Sequence, residues 1–392
     1  MQLPAKASLS VFDLDTCGVL NVRNVQNLKV ANIALSRLKR LDLSYCGIRS
    51  DGLEHISSLL IGLCNSLESL CLSGNFCEES SVQRLIPRLS LLEFLRELEL
   101  ASFCSSNTAF NLLLQVLTSN SLQALDISGN LLQAEIDKNV HNSLAGMLER
   151  CKNIRKLNLA DNHLETLDHF GPKLTALEAL NLERTELVQN SLRATLEYLG
   201  NCPKLHTLSL GCINFSTLEQ EQLLAYCLSP QYLFLPNTSP SVSLFAILVS
   251  KATTLIELDL SGAKLSGGLM EVFAELLPDS LEVLNVAYTE WGDLGCDVLR
   301  RCGQKLEKLK VLNLGSNRIS DEGVGKLMEG WERLSRVRIL NLSGNTIHGS
   351  SFKDLPPQTN SDLTVLDLRK NPLDSFPSPF TPFPCLMDLL VE

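Results

Sequence analysis

At 392 residues the chain is long enough for two or three ordinary domains, and 45% hydrophobic against 20% charged residues lets it bury a large core. Aromatics make up only 5%, so that core must be aliphatic, which points to a repeated packing unit rather than a mixed globular interior. A formal net charge of −10 argues against nucleic-acid backbones and anionic membranes as ligands, since both need clustered Lys and Arg.

In chain order, Met1 to Ser10 carries one Lys and no apolar run of the signal-peptide kind. The longest apolar run anywhere, Leu244 to Val249, falls far short of the roughly 20 residues of a membrane span. From Leu38 onward a pattern L-x-x-L-x-L-x-x-N/C/T-x-L recurs. It first runs from Leu38 to Ile48, with Cys46 at the polar position. It returns at Leu67 to Asn75, Leu122 to Leu132, Ile154 to Leu164, Leu177 to Leu187 and Leu205 to Phe215. Further copies span Leu255 to Leu265, Leu281 to Trp291, Leu309 to Ile319, Val337 to Ile347 and Leu363 to Leu373. Degenerate copies start at Leu9, Leu95 and Pro230, and a truncated one closes the chain at Leu386 to Val391. About fourteen units over residues 1–392 read as one stacked array.

The spacing has a physical meaning. L-x-L places alternate side chains on one face of a short strand, so the leucines point inward and the intervening residues outward. The Asn-type position follows the strand, where a side-chain amide can satisfy turn backbone groups. No unit buries its leucines alone; stacking builds a continuous core and a parallel sheet. Most copies lie 25 to 29 residues apart, enough for a helix on the return leg. Ser50 to Leu60 is one such helix and Ser320 to Leu327 another, each opened by a capping residue. The Gly-x-Gly-Lys string at Gly323 to Lys326 is therefore a helix start, without the spacing of a phosphate loop.

The unit Asn317-Arg-Ile-Ser-Asp-Glu-Gly-Val324 with its helical return resembles the ribonuclease-inhibitor-like class of leucine-rich repeats. That class includes ribonuclease inhibitor, the Ran GTPase-activating protein and the repeat domains of F-box and nucleotide-binding receptors. The resemblance covers essentially the whole chain. It implies an α/β solenoid, a curved horseshoe with parallel strands on its concave face and helices or short extended or 3₁₀ segments on its convex face. It says little of function, because the repeat encodes a scaffold. Two spacings of only 23 residues, Ile154 to Leu177 and Leu363 to Leu386, depart from the class. Their return legs, Glu165 to Gly171 and Leu373 to Pro379, should be extended or 3₁₀. The Pro-rich stretch from Pro372 to Pro384 excludes helix. Neither end carries an obvious polar cap, so the chain reads as an excised domain or the end of a longer polypeptide.

Thirteen cysteines lack disulfide-framework spacing. Cys64, Cys151 and Cys202 each stand three residues before a repeat, a recurring position that suits a buried, reduced thiol and so an intracellular compartment, cytoplasmic or nuclear. Two sequons, at Asn214 and Asn341, are weak signals, and Asn341 lies inside a strand motif. Six scattered histidines, with no metal-ligand spacing, nucleophile elbow or kinase signature, nominate no catalytic group, cofactor or metal.

Between the two closest leucines the outward residue is mostly Asp or Asn, and Asp42, Glu99, Asp126 and Asp259 make an acidic floor suited to a basic protein partner. Tyr232 and Phe234 break that row and form a candidate interface hot spot. Tyr45, Tyr288 and Trp291 are satellites near strand ends, and Glu183, Arg184, Lys156 and Asp161 could form a charged patch. The expectation is a non-enzymatic scaffold that binds another protein on its concave face, not nucleic acid or membrane. The resemblance leaves three further roles open: a GTPase activator of the Ran type, although no Arg here matches the catalytic one; the substrate-recognition part of an F-box ubiquitin ligase; and a Tonsoku-like chromatin or DNA-repair scaffold.

Overall fold

The computed structural model describes residues 19–21, 38–48, 50–117, 121–130, 138–164, 174–187, 195, 199–200, 202–213, 230–240, 245–246, 249, 252–265, 267–353, 355, 361–377, 380 and 382–391. The chain divides into two units, Met1–Leu205 and His206–Glu392.

The first unit carries parallel strands β1 (Val19–Asn21), β2 (Arg40–Asp42), β3 (Ser69–Cys71), β4 (Glu97–Glu99), β5 (Ala124–Asp126), β6 (Lys156–Asn158) and β8 (Ala179–Asn181), each paired with the next. A separate pair, β7 (His163–Leu164) and β9 (Glu186–Leu187), lies after β6 and β8. The second unit has β10 (Thr207–Ser209), β11 (Tyr232–Phe234), β12 (Glu257–Asp259), β13 (Val283–Asn285), β14 (Val311–Asn313), β15 (Ile339–Asn341), β16 (Val365–Asp367) and β17 (Asp388–Leu390), again parallel and in sequence order. Every strand after β1 in these two series is the x-L-x at the heart of a motif, and register keeps central leucine against central leucine, as Leu284 against Leu312. The strand Val19–Asn21 is also x-L-x, with Leu20 against Leu41, a copy not named from the sequence, and the copy expected at Leu9 lies outside the described residues.

Three leucine ranks build the core: Leu38, Leu41 and Leu43 in one repeat, Leu309, Leu312 and Leu314 in another, all essentially without exposure. Each contributes roughly 1.5–3 kcal/mol of burial. In most repeats the turn after the strand is closed by the motif's polar residue, whereas Phe103, Ile213 and Ala263 hold that position after β4, β10 and β12. Asn75 donates Nδ2 to the carbonyls of Leu72 at 2.6 Å and, one repeat back, Leu43 at 3.0 Å, while its Oδ1 accepts from Cys46 and Ile48. Asn130, Asn345 and Asn371 repeat this arrangement. Where Thr replaces Asn, its hydroxyl donates to a carbonyl, as Thr238 to Leu235 at 2.7 Å. The position just before it takes a left-handed φ in repeat after repeat. Gly fills it at Gly74, Gly129, Gly262 and Gly344, and bulkier residues such as Tyr45, Arg184 and Tyr288 fill it elsewhere.

Return legs are mostly helical: α1 (Ser50–Gly62), α2 (Glu79–Leu89), α3 (Asn107–Val116) and α4 (Lys138–Arg150) in the first unit, α5 (Gly267–Leu276), α6 (Gly292–Cys302) and α7 (Asp321–Glu329) in the second. Consecutive helices pack side by side and cap one another. Arg150 on α4 donates to the Leu114 carbonyl near the end of α3 at 2.7 Å, and Lys305 reaches the Glu275 carbonyl of α5. Asp293 on α6 accepts from the Ser320 backbone N–H at 2.8 Å, and Ser320 in turn caps α7. The helix expected from Ser320 thus starts one residue later, with Ser320 as its cap, and Gly323 packs against Asp293 instead of forming a phosphate loop.

After the repeat at Val337 the return leg is a short 3₁₀ turn at Ser350–Phe352, and Leu373–Pro377 has no helix, as its prolines require. Phe352, Phe376, Phe380 and Phe383 cluster there, with Phe383 edge-on to Trp331, whose Nε1 donates to Ser361 at 3.0 Å. The other short return leg, Glu165 to Gly171, lies outside the described residues. Among the expected thiols, Cys151 and Cys202 are buried but Cys64 is only half-buried. No described helix is long and apolar enough to cross a membrane.

Candidate protein-binding surface

Strands β2 to β6, β8 and β10 to β15 each leave two side chains unburied on the open face of the sheet, one on either side of a buried leucine. On β11, Leu233 is fully buried while Tyr232 and Phe234 stay half-exposed, as the motif requires. Register sets Tyr232 between Thr207 and Glu257, and Phe234 between Ser209 and Asp259. The His206 ring stands edge-on to Tyr232, centroids 6.2 Å apart. Both aromatics therefore face outward from a strand whose backbone is fixed by its neighbours.

The same open face holds a feature that the sequence reading missed. Val283, Val311, Ile339 and Val365 align in register on β13 to β16, all outward and none buried, with Ile339 41% exposed. At about 4.8 Å per strand they form a β-branched stripe roughly 14 Å long. Its signal was available, since Val or Ile precedes the middle leucine in four consecutive copies. Glu257 and Asp259 separate this stripe from Tyr232 and Phe234. Burial, then the adjacent Asp259 carboxylate, holds the Glu257 carboxyl above its ordinary value.

The Asp/Asn row has a structural job first. Asp42 accepts the backbone N–H of Ser44 at 2.9 Å, Asp126 that of Ser128 at 2.9 Å and Asp259 that of Ser261 at 2.7 Å. Asn158, Asn181, Asn285, Asn313, Asn341 and Asp367 do the same two residues ahead. This is an Asx turn, and it ends these nine strands. Asp126 uses its second oxygen on Asn158 at 2.9 Å, and Glu99, exposed, stands beside Cys71, whose thiol burial pushes up to about 11.

Of the satellites, Tyr45 and Tyr288 lie on the turns, 78% and 69% exposed, both with left-handed backbones. The Tyr45 ring lies over Gly74 of the next repeat, and Phe76 on that repeat is a further aromatic, 59% exposed, that the sequence did not single out. Trp291 must be withdrawn from the surface. It is 2% exposed, edge-on to Phe273 with centroids 5.0 Å apart, in space that the missing side chain of Gly295 leaves open. The reason is positional: Trp291 occupies the last apolar position of its motif. Arg184 pairs with Asp161 and Glu183 at the turns, whereas Lys156 lies apart from them on the strand face.

Lys156 belongs to a depression of about 470 Å³ on the first unit. Its lining comes from the two residues that precede each central leucine: Lys39 and Arg40, Glu68 and Ser69, Arg96 and Glu97, Gln123 and Ala124, Arg155 and Lys156, and Glu178. Lys39 pairs with Glu68 at 2.8 Å, Arg40 with Glu97 at 3.4 Å and Arg155 with Glu178 at 3.4 Å. Among the described residues, no three His, Cys, Asp or Glu side chains gather as metal ligands.

No curated protein matches the chain in sequence. An internalin from Listeria monocytogenes is similar in structure, with 18% identity and a TM-score of 0.47, over 94% of this chain and 92% of the internalin. TLR13, solved as a complex with the RNA ssRNA13, aligns with 15% identity and a TM-score of 0.43, over 90% of this chain and 57% of TLR13. The sequence model named Leucine Rich repeat matches residues 36–57 and 305–328. With the same strand, Asn turn and return leg recurring through both units, the chain is a leucine-rich-repeat protein.

Proposed function

We propose that this chain is a non-catalytic protein-interaction scaffold that grips a partner protein on the open strand face of its second unit. One observation carries the reading. Tyr232, Phe234 and the stripe Val283, Val311, Ile339 and Val365 are apolar side chains held outward on a hydrogen-bonded sheet that has no need of them for its own core. A surface already rigid loses little entropy on binding, and aromatic anchors dominate such interfaces. Glu257 and Asp259, set between the aromatics and the stripe, favour a partner with a basic residue beside apolar ones. Cys77, Cys104, Cys151, Cys202, Cys296 and Cys302 are buried and unbridged, which supports a reducing compartment, cytoplasmic or nuclear.

The test is affinity capture from reducing cell extract with four proteins side by side: wild type, Tyr232→Ala/Phe234→Ala, Val311→Asp/Ile339→Asp and the helix-surface control Leu294→Asp. All four are first matched by circular dichroism and thermal midpoint. The reading expects a polypeptide captured by wild type and control and lost from both strand-face variants. Retention of every captured polypeptide by both variants would overturn it.

A further inference from the structure

We propose that the open strand face of the first unit is a receptor for an acidic protein segment in extended, polyproline-like conformation, with Arg96 and Lys156 taking its carboxylates. This surface is separate from the apolar face of the second unit, so either assignment can fail without the other.

The geometry supplies both charge and spacing. Five cations and three carboxylates line the depression, in a chain whose formal net charge is −10. Each carboxylate has a cation of its own within 3.4 Å, so three of the cations are internally neutralised. Arg96 and Lys156 have no ion-pair partner among the described residues. Between their strands stands β5, whose two lining residues, Gln123 and Ala124, carry no charge. The platform is stiff, because the backbone N–H groups of Arg96 and Glu97 both bond the Glu68 carbonyl and those of Arg155 and Lys156 both bond the Gln123 carbonyl.

Lys156 opens β6, in register with Glu97 two sheet steps away, and Arg96 stands one residue before Glu97, so the two positions are about 10 Å apart at the usual strand spacing and rise. A polyproline-type helix repeats every three residues with a rise of about 9.3 Å, so Asp or Glu at every third position lies along one side at the matching interval. A nucleic-acid strand fits less well. It offers a continuous run of phosphates, and Glu68, Glu97 and Glu178 on the same lining would face them. Discrete carboxylates separated by neutral residues avoid that repulsion.

The experiment uses the full chain and a fluorescein-labelled twelve-residue peptide with Glu at every third position and Pro and Ser between, followed by anisotropy at low ionic strength. The comparison probes are the same peptide with Gln for Glu and a twelve-nucleotide oligo(dT). The variants are Arg96→Glu/Lys156→Glu, the milder Arg96→Ala/Lys156→Ala, and Lys152→Glu/Lys204→Glu, which makes the same change in net charge at exposed lysines outside the depression. The proposal expects the Glu peptide to bind at least tenfold tighter than the Gln peptide. It expects at least a tenfold loss in the Arg96/Lys156 reversal, a smaller loss in the alanine pair and less than a twofold change in the control pair. It is overturned by equal binding of the Glu and Gln peptides, by undiminished binding to the reversal variant, by an equal loss in the control pair, or by oligo(dT) binding more tightly than the Glu peptide.

Discussion

Asn317 shows what a single side chain does in this fold. Fully buried, it donates Nδ2 to the Val286 carbonyl at 2.7 Å and accepts from the backbone N–H groups of Thr289 at 2.9 Å and Trp291 at 3.2 Å, joining two repeats through one amide. Asn317→Ala strands buried donors with no replacement acceptor and should lower stability by about 3 kcal/mol, read as a fall in the urea midpoint at unchanged slope. A loss under about 0.5 kcal/mol would mean that the turn repairs itself. Gly295 is the complementary case. A methyl there would run into the Trp291 indole, so Gly295→Ala should cost roughly 1–3 kcal/mol by overpacking, against the helical preference for Ala. The Asn role was legible in the sequence because the motif fixes its position after the strand. The Gly295 role was not, because it depends on which way Trp291 turns, and that is a matter of packing.

At the scale of elements, the return legs are held by polar side chains that reach across to the neighbouring repeat. Asp321, at the start of α7, accepts the backbone N–H groups of His348 at 2.8 Å, Gly349 at 3.0 Å and Ser351 at 2.9 Å, fixing the 3₁₀ turn where the next helix is missing. Burial alone would raise its carboxyl, but the N–H groups of Ser351 and His348 outweigh that and hold it below the ordinary range. The unfolded chain therefore takes up this proton more readily. The stabilisation is complete above the ordinary carboxylate range and fades as pH falls through the lowered folded value. Wild type should be more stable than Asp321→Asn at pH 7, and the gap between their urea midpoints should close as the pH falls below the ordinary carboxylate range. A gap that persists or widens in acid would contradict this. The existence of α7 was legible from its cap and apolar period, whereas this cross-repeat contact pairs residues nearly thirty positions apart and leaves no local signature. The Asp/Asn row behaves likewise. Its composition was plain in the sequence, but the bond from each side chain to the N–H two residues on explains the residue type without any ligand.

At the scale of the whole molecule, repetition made the architecture legible while leaving the binding surface only partly so. Leucines at fixed intervals state which side chains go inward, and the structure agrees repeat after repeat. Outward residues obey no such rule. Tyr232 and Phe234 stood out as an interruption in a regular row, but the valine and isoleucine stripe and the basic depression emerge only when positions 25 to 30 residues apart are set side by side. The strand face of the second unit carries the apolar side chains and that of the first a charged depression, so the fold alone does not fix the chemistry of its surface. The most direct measurement is photo-crosslinking in intact cells, with a benzophenone side chain placed singly at Tyr232 or Ile339 on the strand face and at Ile61 or Leu294 on exposed helix positions. The account predicts that a discrete partner polypeptide is captured from Tyr232 and Ile339 and not from the helix positions. Capture confined to Ile61 or Leu294 would place the binding surface on the helices and contradict it.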